Sequence, residues 1–184
     1  MPASIRRKFI RATAEKLLND TDSLVAPINV YKIAEDLGIS VIKKSANADL
    51  LGFLLRDKES SKVTIGINPK HGEARCRFTV AHELGHFLLH EGEVVHMDKA
   101  GSAQGFYLNP ASDGSALDPK QEEANLFAEE LLMPAKLIER DISKCKEMDL
   151  LEPAPEYLKG LARCYEVNLS VFMIRLFRLG YVQL

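Results

Sequence analysis

Two histidines and a glutamate in one short segment have the spacing needed for hydrolytic chemistry. Residues 82–86 read His-Glu-Leu-Gly-His, the pattern H-E-x-x-H. On a helix, positions four residues apart lie on one face, so both imidazoles can bind a single zinc ion. Glu83 follows the first histidine and can act as general base toward a zinc-activated water. The segment therefore predicts a zinc hydrolase, with a peptidase as the leading interpretation.

The residues around this motif favour a helix that is buried and therefore rigid. Apolar residues recur at helical spacing on both sides of the histidines, namely Phe78, Val80, Ala81, Leu84, Leu88 and Leu89. A buried helix holds its side chains still, as a metal site requires. Gly85 costs a helix interior about 1 kcal/mol relative to alanine. It therefore indicates that another backbone or side chain passes close by.

The rest of the chain reads as short helices and strands in a single α+β fold, mostly helical with a small three-stranded sheet. Helices are predicted over residues 4–19, 30–37, 73–90, 120–132, 134–144, 156–165 and 169–179. Strands are predicted over residues 39–42, 50–56 and 62–67, and the last two form a hairpin across a polar turn. The stretch 93–120 is rich in glycine and without a clear period, so we expect a long loop there.

Two units are expected, with a boundary near residue 140. Residues 1–140 contain the H-E-x-x-H helix and the sheet, whereas residues 141–184 form a helical subdomain packed on them. The break at Glu166–Ser170 resembles the turn of a helix-turn-helix. Arg175 and Arg178 are too few for a surface that follows nucleic-acid phosphates, so we expect no direct binding of nucleic acid.

Composition indicates an ordinary globular protein. The 184 residues carry a formal net charge of −2, and 46% of them are hydrophobic. No apolar run approaches the roughly 18–20 residues that span a bilayer, and the N-terminus lacks the features of a signal peptide. The three cysteines have no C-x-x-C spacing and read as free thiols, so a cytoplasmic location is expected.

A catalytic zinc site needs a third protein ligand, and a second sequence motif bears on it. Residues 77–86 read R-F-T-V-A-H-E-L-G-H, and residues 121–134 read Q-E-E-A-N-L-F-A-E-E-L-L-M-P. Together they resemble the ImmA/IrrE family of metallopeptidases over roughly residues 50–140. The resemblance implies a compact, thermolysin-like (zincin) zinc protein that cleaves helix-turn-helix repressors of phage, mobile-element or stress genes.

The chain departs from the family pattern at the third ligand. The pattern implies a carboxylate three residues before Ala124, where this chain has Gln121. On a helical wheel Gln121 shares the inward face with Asn125, whereas Glu122 lies near 100° and Glu123 near 200° from it. Glu122 is therefore the expected metal ligand beside His82 and His86, with Gln121 and Glu123 as alternatives. Asn125 is expected to hydrogen-bond the second ring nitrogen of a ligand histidine.

The remaining histidines, a loop tyrosine and one strand are expected to have roles outside the metal-ligand set. His90 lies one turn beyond His86 and could reach the metal or the substrate. The favoured expectation is that it serves the helix C-terminus, because a histidine there commonly interacts with the dipole or a free carbonyl. His71 and His96 are expected to be solvent-exposed, and Tyr107 in the long loop is a candidate for oxyanion stabilisation. The strand at 63–67 is either a plain edge or internal strand or one that pairs with an extended substrate peptide.

Two functions follow. As an enzyme, the chain would be a zinc-dependent endopeptidase that cuts a helix-turn-helix (XRE-type) repressor and so relieves repression. Alternatively, if Gln121 removes the third ligand, it would be a catalytically weak, partner-binding regulatory subunit of a toxin–antitoxin-like pair.

Overall fold

The protein has an α+β architecture in a computed structural model that describes residues 4–92, 94–99, 118–144 and 155–183. The α-helices in these ranges are α1 Arg7–Asp20, α2 Val30–Asp36, α3 Glu73–Leu89, α4 Pro119–Leu132, α5 Ala135–Ser143, α6 Pro155–Cys164 and α7 Leu169–Arg178. The strands are β1 Ile39–Lys43, β2 Leu50–Arg56, β3 Val63–Ile67 and β4 Val95–Lys99. Tyr107 and most of the expected long loop lie outside the described residues. None of the described helices is long and apolar enough to cross a membrane.

The strands form one mixed sheet in the order β1-β3-β2-β4. The predicted hairpin of β2 and β3 is confirmed, because the two strands pair antiparallel with Leu54 opposite Ile65. β1 runs parallel to β3, so β3 is internal and both of its edges are occupied. The alternative that β3 pairs with a substrate peptide is therefore wrong.

The expectation of three strands is also wrong, because β4 forms inside the stretch predicted as a loop. β4 pairs antiparallel with β2, placing His96 opposite Leu54. Its side chains alternate: Val95 and Met97 are exposed, whereas Asp98 is buried. Such alternation is the signature of a strand with one buried face. The nearby glycines concealed it, because they suggested irregular backbone throughout.

α3 is the central element, and it packs against α4 on one side and the sheet on the other. A Cβ added at Gly85 would lie 3.0 Å from the Cα of Ala124 and 3.2 Å from the Cβ of Phe127. The two helices therefore touch backbone to backbone at Gly85, as the sequence indicated. This contact fixes the distance between the side chains that α3 and α4 present to each other.

The C-terminal helices are fixed to the rest of the protein by polar contacts. Arg175 on α7 is 2% exposed; its Nε donates to the Met133 carbonyl at 3.0 Å, and its guanidinium pairs with Glu130. The Tyr165 hydroxyl donates to Asp141 at 2.8 Å. Arg175 thus has a structural role. The division into units at residue 140 stays a prediction.

Candidate metal centre

α3 places the three residues of the H-E-x-x-H motif in the interior of the protein. His82 and Glu83 are 0% exposed and His86 is 2% exposed. The Nε2 atoms of His82 and His86 lie 3.1 Å apart. Two nitrogens bound tetrahedrally to one zinc at 2.0–2.1 Å would be roughly 3.3 Å apart. The pair already has nearly the spacing that a shared metal ion needs.

Asn125 on α4 determines which nitrogen of His82 carries the proton. Its Oδ1 lies 2.8 Å from His82 Nδ1 and accepts the hydrogen bond from that nitrogen. Burial lowers the pKa of His82, so the ring is neutral and carries one proton. His82 Nε2 therefore presents a lone pair. The structure brings Asn125 to the histidine nitrogen that it was expected to hold.

A series of hydrogen-bonded side chains determines which nitrogen of His86 carries the proton. Arg6 donates to the Glu123 carboxylate at 2.9 Å and holds the pKa of Glu123 down at about 2, so this carboxylate is ionised. It accepts from His90 Nε2 at 3.1 Å. His90 Nδ1 is then an acceptor, and it lies 3.1 Å from His86 Nδ1, which must donate. His86 Nε2 is therefore also a lone pair.

The hydrogen bonds to His82 and to His86 together leave an arrangement that fits a bound cation. Lone pairs on His82 Nε2 and His86 Nε2 face each other across 3.1 Å, with no proton between them. Two neutral imidazoles in that state repel, whereas a divalent cation accepts both lone pairs. Histidine nitrogens are ligands that zinc accepts readily. The side chain of His90 thus holds the ring of His86, a candidate ligand, instead of serving the helix C-terminus as expected.

The buried carboxyl group of Glu83 lies close to His82. Neither of its carboxylate oxygens has a hydrogen-bond partner in the described part of the chain. Burial raises the pKa of Glu83, and the nearby Asp98 carboxylate raises it further. Two buried carboxylates close to a histidine site complement an added positive charge. Asp98, which is 1% exposed, was not among the residues singled out from the sequence.

His96 on β4 completes the cluster. It is half-buried, as is His71, so the expectation that both are solvent-exposed was wrong. One ring nitrogen from each of His82, His86 and His96 lies within 4.8 Å of the others. The His86 and His96 rings stack with centroids 3.8 Å apart. The sequence did contain a signal for it: His96 and Asp98 are two residues apart, as side chains on one face of a strand are.

The three candidates for the third ligand on α4 face different partners. Gln121 is buried, and its Nε2 lies 3.0 Å from His96 Nε2. The structure does not bring Glu122 to the histidine pair, because its carboxylate lies at the surface and accepts from Arg7 at 3.2 Å. Glu122 as a metal ligand stays a prediction that this placement does not support.

Glu123 was expected on the far side of α4, but its side chain is only 7% exposed and it contacts His90. A helical wheel assumes one buried face. α4 is covered on a second side by the chain around Arg6, just before α1, and Arg6 itself donates to Glu123.

Comparisons with known proteins identify the family of this chain. Residues 34–177 match the family described as the IrrE N-terminal-like domain, a peptidase family. An uncharacterized immunity region protein 2 of Bacillus phage phi105 is 30% identical over 126 residues, which cover 68% of this chain and 69% of that protein. Metallopeptidase ImmA of Bacillus subtilis (strain 168) is 29% identical over 114 residues, which cover 60% of this chain and 57% of that protein. The family match includes most of the chain and all residues of the candidate centre, so this protein belongs to the ImmA/IrrE family of metallopeptidases.

Proposed function

We propose that the protein is a zinc-dependent endopeptidase that cleaves a helix-turn-helix repressor and thereby relieves repression. The observation that carries the proposal is the buried Glu83 carboxyl group, which has no hydrogen-bond partner in the described residues and lies within 4.8 Å of a ring nitrogen of His82. His82 in turn faces His86 with their Nε2 atoms 3.1 Å apart. The relatives named for phage immunity and for a metallopeptidase support a substrate of this kind. Such repressors act in the cytoplasm, so we place the enzyme there too.

The chemistry of peptide hydrolysis divides between a metal and the residues of this chain. A bound zinc ion supplies a Lewis acid that polarises the scissile carbonyl and lowers the pKa of the attacking water. Glu83 takes the proton of that water as its oxygen bonds to the carbonyl carbon. Glu83 then passes the proton to the amine nitrogen as the C–N bond breaks. Asn125 and His90 hold the rings of His82 and His86 in the tautomers derived above.

β4 offers a place for an extended substrate beside the centre. It pairs with β2 on one side, and within the described ranges no strand pairs with its other edge. An extended peptide can add to such an edge through main-chain hydrogen bonds, while its side chains give specificity. A peptide on β4 would run beside His96. This arrangement favours cutting at one or a few sites in an extended segment over broad digestion.

The runner-up function, a partner-binding regulatory subunit, rests on Gln121 in the position of the family's carboxylate. A neutral amide binds zinc less firmly than a carboxylate does, so a site that depended on Gln121 would be weak. The clustering of His96 with the other two histidines argues against that weakness.

The test compares wild type with Glu83→Gln. The purified protein is incubated with a helix-turn-helix repressor encoded beside it, and cleavage is followed by gel and mass spectrometry, with zinc content measured on the same samples. Glu83→Gln should retain zinc and lose cleavage by at least about a hundredfold, the lower range for a general base. His86→Ala serves as the metal-free control. Cleavage by Glu83→Gln at the wild-type rate would show that Glu83 is not the base.

A further inference from the structure

We infer that the third protein ligand of the metal is His96, supplied by the edge strand β4, and that no carboxylate of α4 takes that role. The inference rests on the proposed metal-dependent function and specifies the site that performs it. Three imidazoles would then hold the ion, from two positions on α3 and one on β4. A site of three histidines and an open fourth position is a known catalytic arrangement for zinc.

The positions of the candidate ligand atoms favour His96. One ring nitrogen from each of His82, His86 and His96 lies within 4.8 Å of the other two, so a single ion can reach all three after small side-chain rotations. A second cluster joins His82 with the carboxylates of Glu83 and Asp98, but it omits His86. His82 and His86 have the lone-pair geometry for one ion, so the ligand that completes their pair must be near both. His96 meets this condition.

Gln121 occupies the position of the carboxylate in the family pattern. Gln121 is buried and directs its amide Nε2 to His96 Nε2 at 3.0 Å. An amide cannot supply the negative charge of a glutamate, but it can hold an imidazole in place from either of its ends. Gln121 is therefore a positioning residue for His96. The exchange of a carboxylate for an amide is consistent with a ligand that has moved from α4 to β4.

The charge of a bound metal ion is compensated by a carboxylate on the same strand as His96. Three neutral histidines leave the charge of a divalent ion uncompensated, whereas two histidines and a carboxylate would reduce it by one unit. The buried Asp98 on β4 lies two residues from His96 and within 4.8 Å of ligand atoms of His82 and Glu83. A carboxylate that close stabilises the ion without binding it directly. β4 thus brings both the third imidazole and a compensating charge.

The wild-type protein can be tested without any substitution. The chain has five histidines, and their ring nitrogens are followed by NMR on protein labelled with 15N in the imidazole, before and after one equivalent of zinc. Three histidines should give the shifts of metal-bound nitrogens. His71, which contacts the Leu50 carbonyl, should not change. Only two metal-bound histidines would overturn the inference.

Zinc affinity, measured by competition with a chromophoric chelator, gives the second readout. His96→Ala should weaken binding by more than the roughly 10–100-fold that loss of a residue supporting a ligand causes, and His71→Ala should leave it unchanged. Adding Gln121→Glu to His96→Ala restores a carboxylate at the family position and should recover much of the loss. Recovery also shows that a chain without the His96 imidazole can still fold and bind zinc.

The outcomes separate this inference from the proposed function. If the wild type binds no zinc even after loading, the metal-dependent function itself fails. If the wild type binds one zinc and His96→Ala binds it equally well, the function stands and His96 is not a ligand. Loss of affinity in Glu122→Gln, with none in His96→Ala, would instead support the ligand that the helical wheel favours.

Discussion

A methyl group added at Gly85 should harm both stability and metal binding, although alanine is the better helix former. The new Cβ would lie 3.0 Å from the Cα of Ala124, 3.1 Å from its carbonyl oxygen and 3.2 Å from the Cβ of Phe127. These are atoms of a neighbouring helix backbone and its first side-chain carbon, so they cannot rotate away. α3 and α4 would have to separate by a few tenths of an ångström.

The magnitude follows from two opposing contributions. Overpacking of a core costs about 1–3 kcal/mol, and replacing glycine by alanine inside a helix returns up to about 1 kcal/mol. We expect Gly85→Ala to lose about 1–2 kcal/mol, which for a chain of this size lowers the melting temperature by roughly 2–8 °C. The same displacement moves His82 away from Asn125, so zinc affinity should fall as well.

Gly160 provides the matched control. It lies in α6, and an added Cβ would meet nothing within 4 Å. Gly160→Ala should therefore raise the free energy of unfolding by about 0.5–1 kcal/mol through helix propensity alone, and it should leave zinc affinity unchanged. Thermal unfolding of the metal-free proteins and chelator competition measure the two effects. A Gly85→Ala protein as stable as Gly160→Ala would refute the argument that contact with α4 requires a glycine.

Two further predictions concern residues outside the three histidines of the centre. His90→Ala removes the acceptor of the His86 Nδ1 proton, and zinc affinity should fall by roughly 10–100-fold; unchanged affinity would mean that this hydrogen bond does not orient His86. Arg140, with Tyr165, holds the pKa of Asp141 at about 2, below its ordinary 3.8. The ionised Asp141 carboxylate therefore contributes fully to the free energy of unfolding above about pH 4, and this contribution is lost as pH falls toward 2. The loss amounts to about 1 kcal/mol, because the exposure of Arg140 weakens the interaction. Asp141→Asn should flatten that acid loss in urea titrations of metal-free protein, and an unaltered pH dependence would contradict the assignment.

The parts of the fold that the sequence predicted are those with a strong local period. Pattern alone identified α3 by its apolar spacing, β2 by its short apolar run and β3 by its alternation, because each pattern depends on neighbours within a few residues. Gly85 was also informative, because glycine destabilises a helix interior relative to alanine, and its presence there indicates a close contact with a neighbouring element. β4 was missed since its five residues lie among glycines. Only pairing with β2 makes the alternation of His96 and Asp98 meaningful.

The sequence of α4 alone did not reveal which of its faces are buried. Glu123 was assigned to the far side of a helix with one buried face, yet Arg6, 117 positions earlier, covers that side and binds its carboxylate. Glu122, the favoured ligand, instead points to Arg7. Both outcomes depend on where the chain before α1 packs, which is a long-range contact that helical periodicity does not encode.

A ligand on β4 has a consequence for how the enzyme would meet its substrate. His82 and His86 lie in the buried part of α3, whereas His96 is half-buried on β4, which forms an edge of the sheet in the described part of the chain. An extended peptide that adds to this edge would hydrogen-bond the backbone that carries His96. Binding of substrate and retention of zinc would then stabilise the same strand, so each should strengthen the other. A third ligand on α4 would lack this coupling, because α4 takes no part in the sheet.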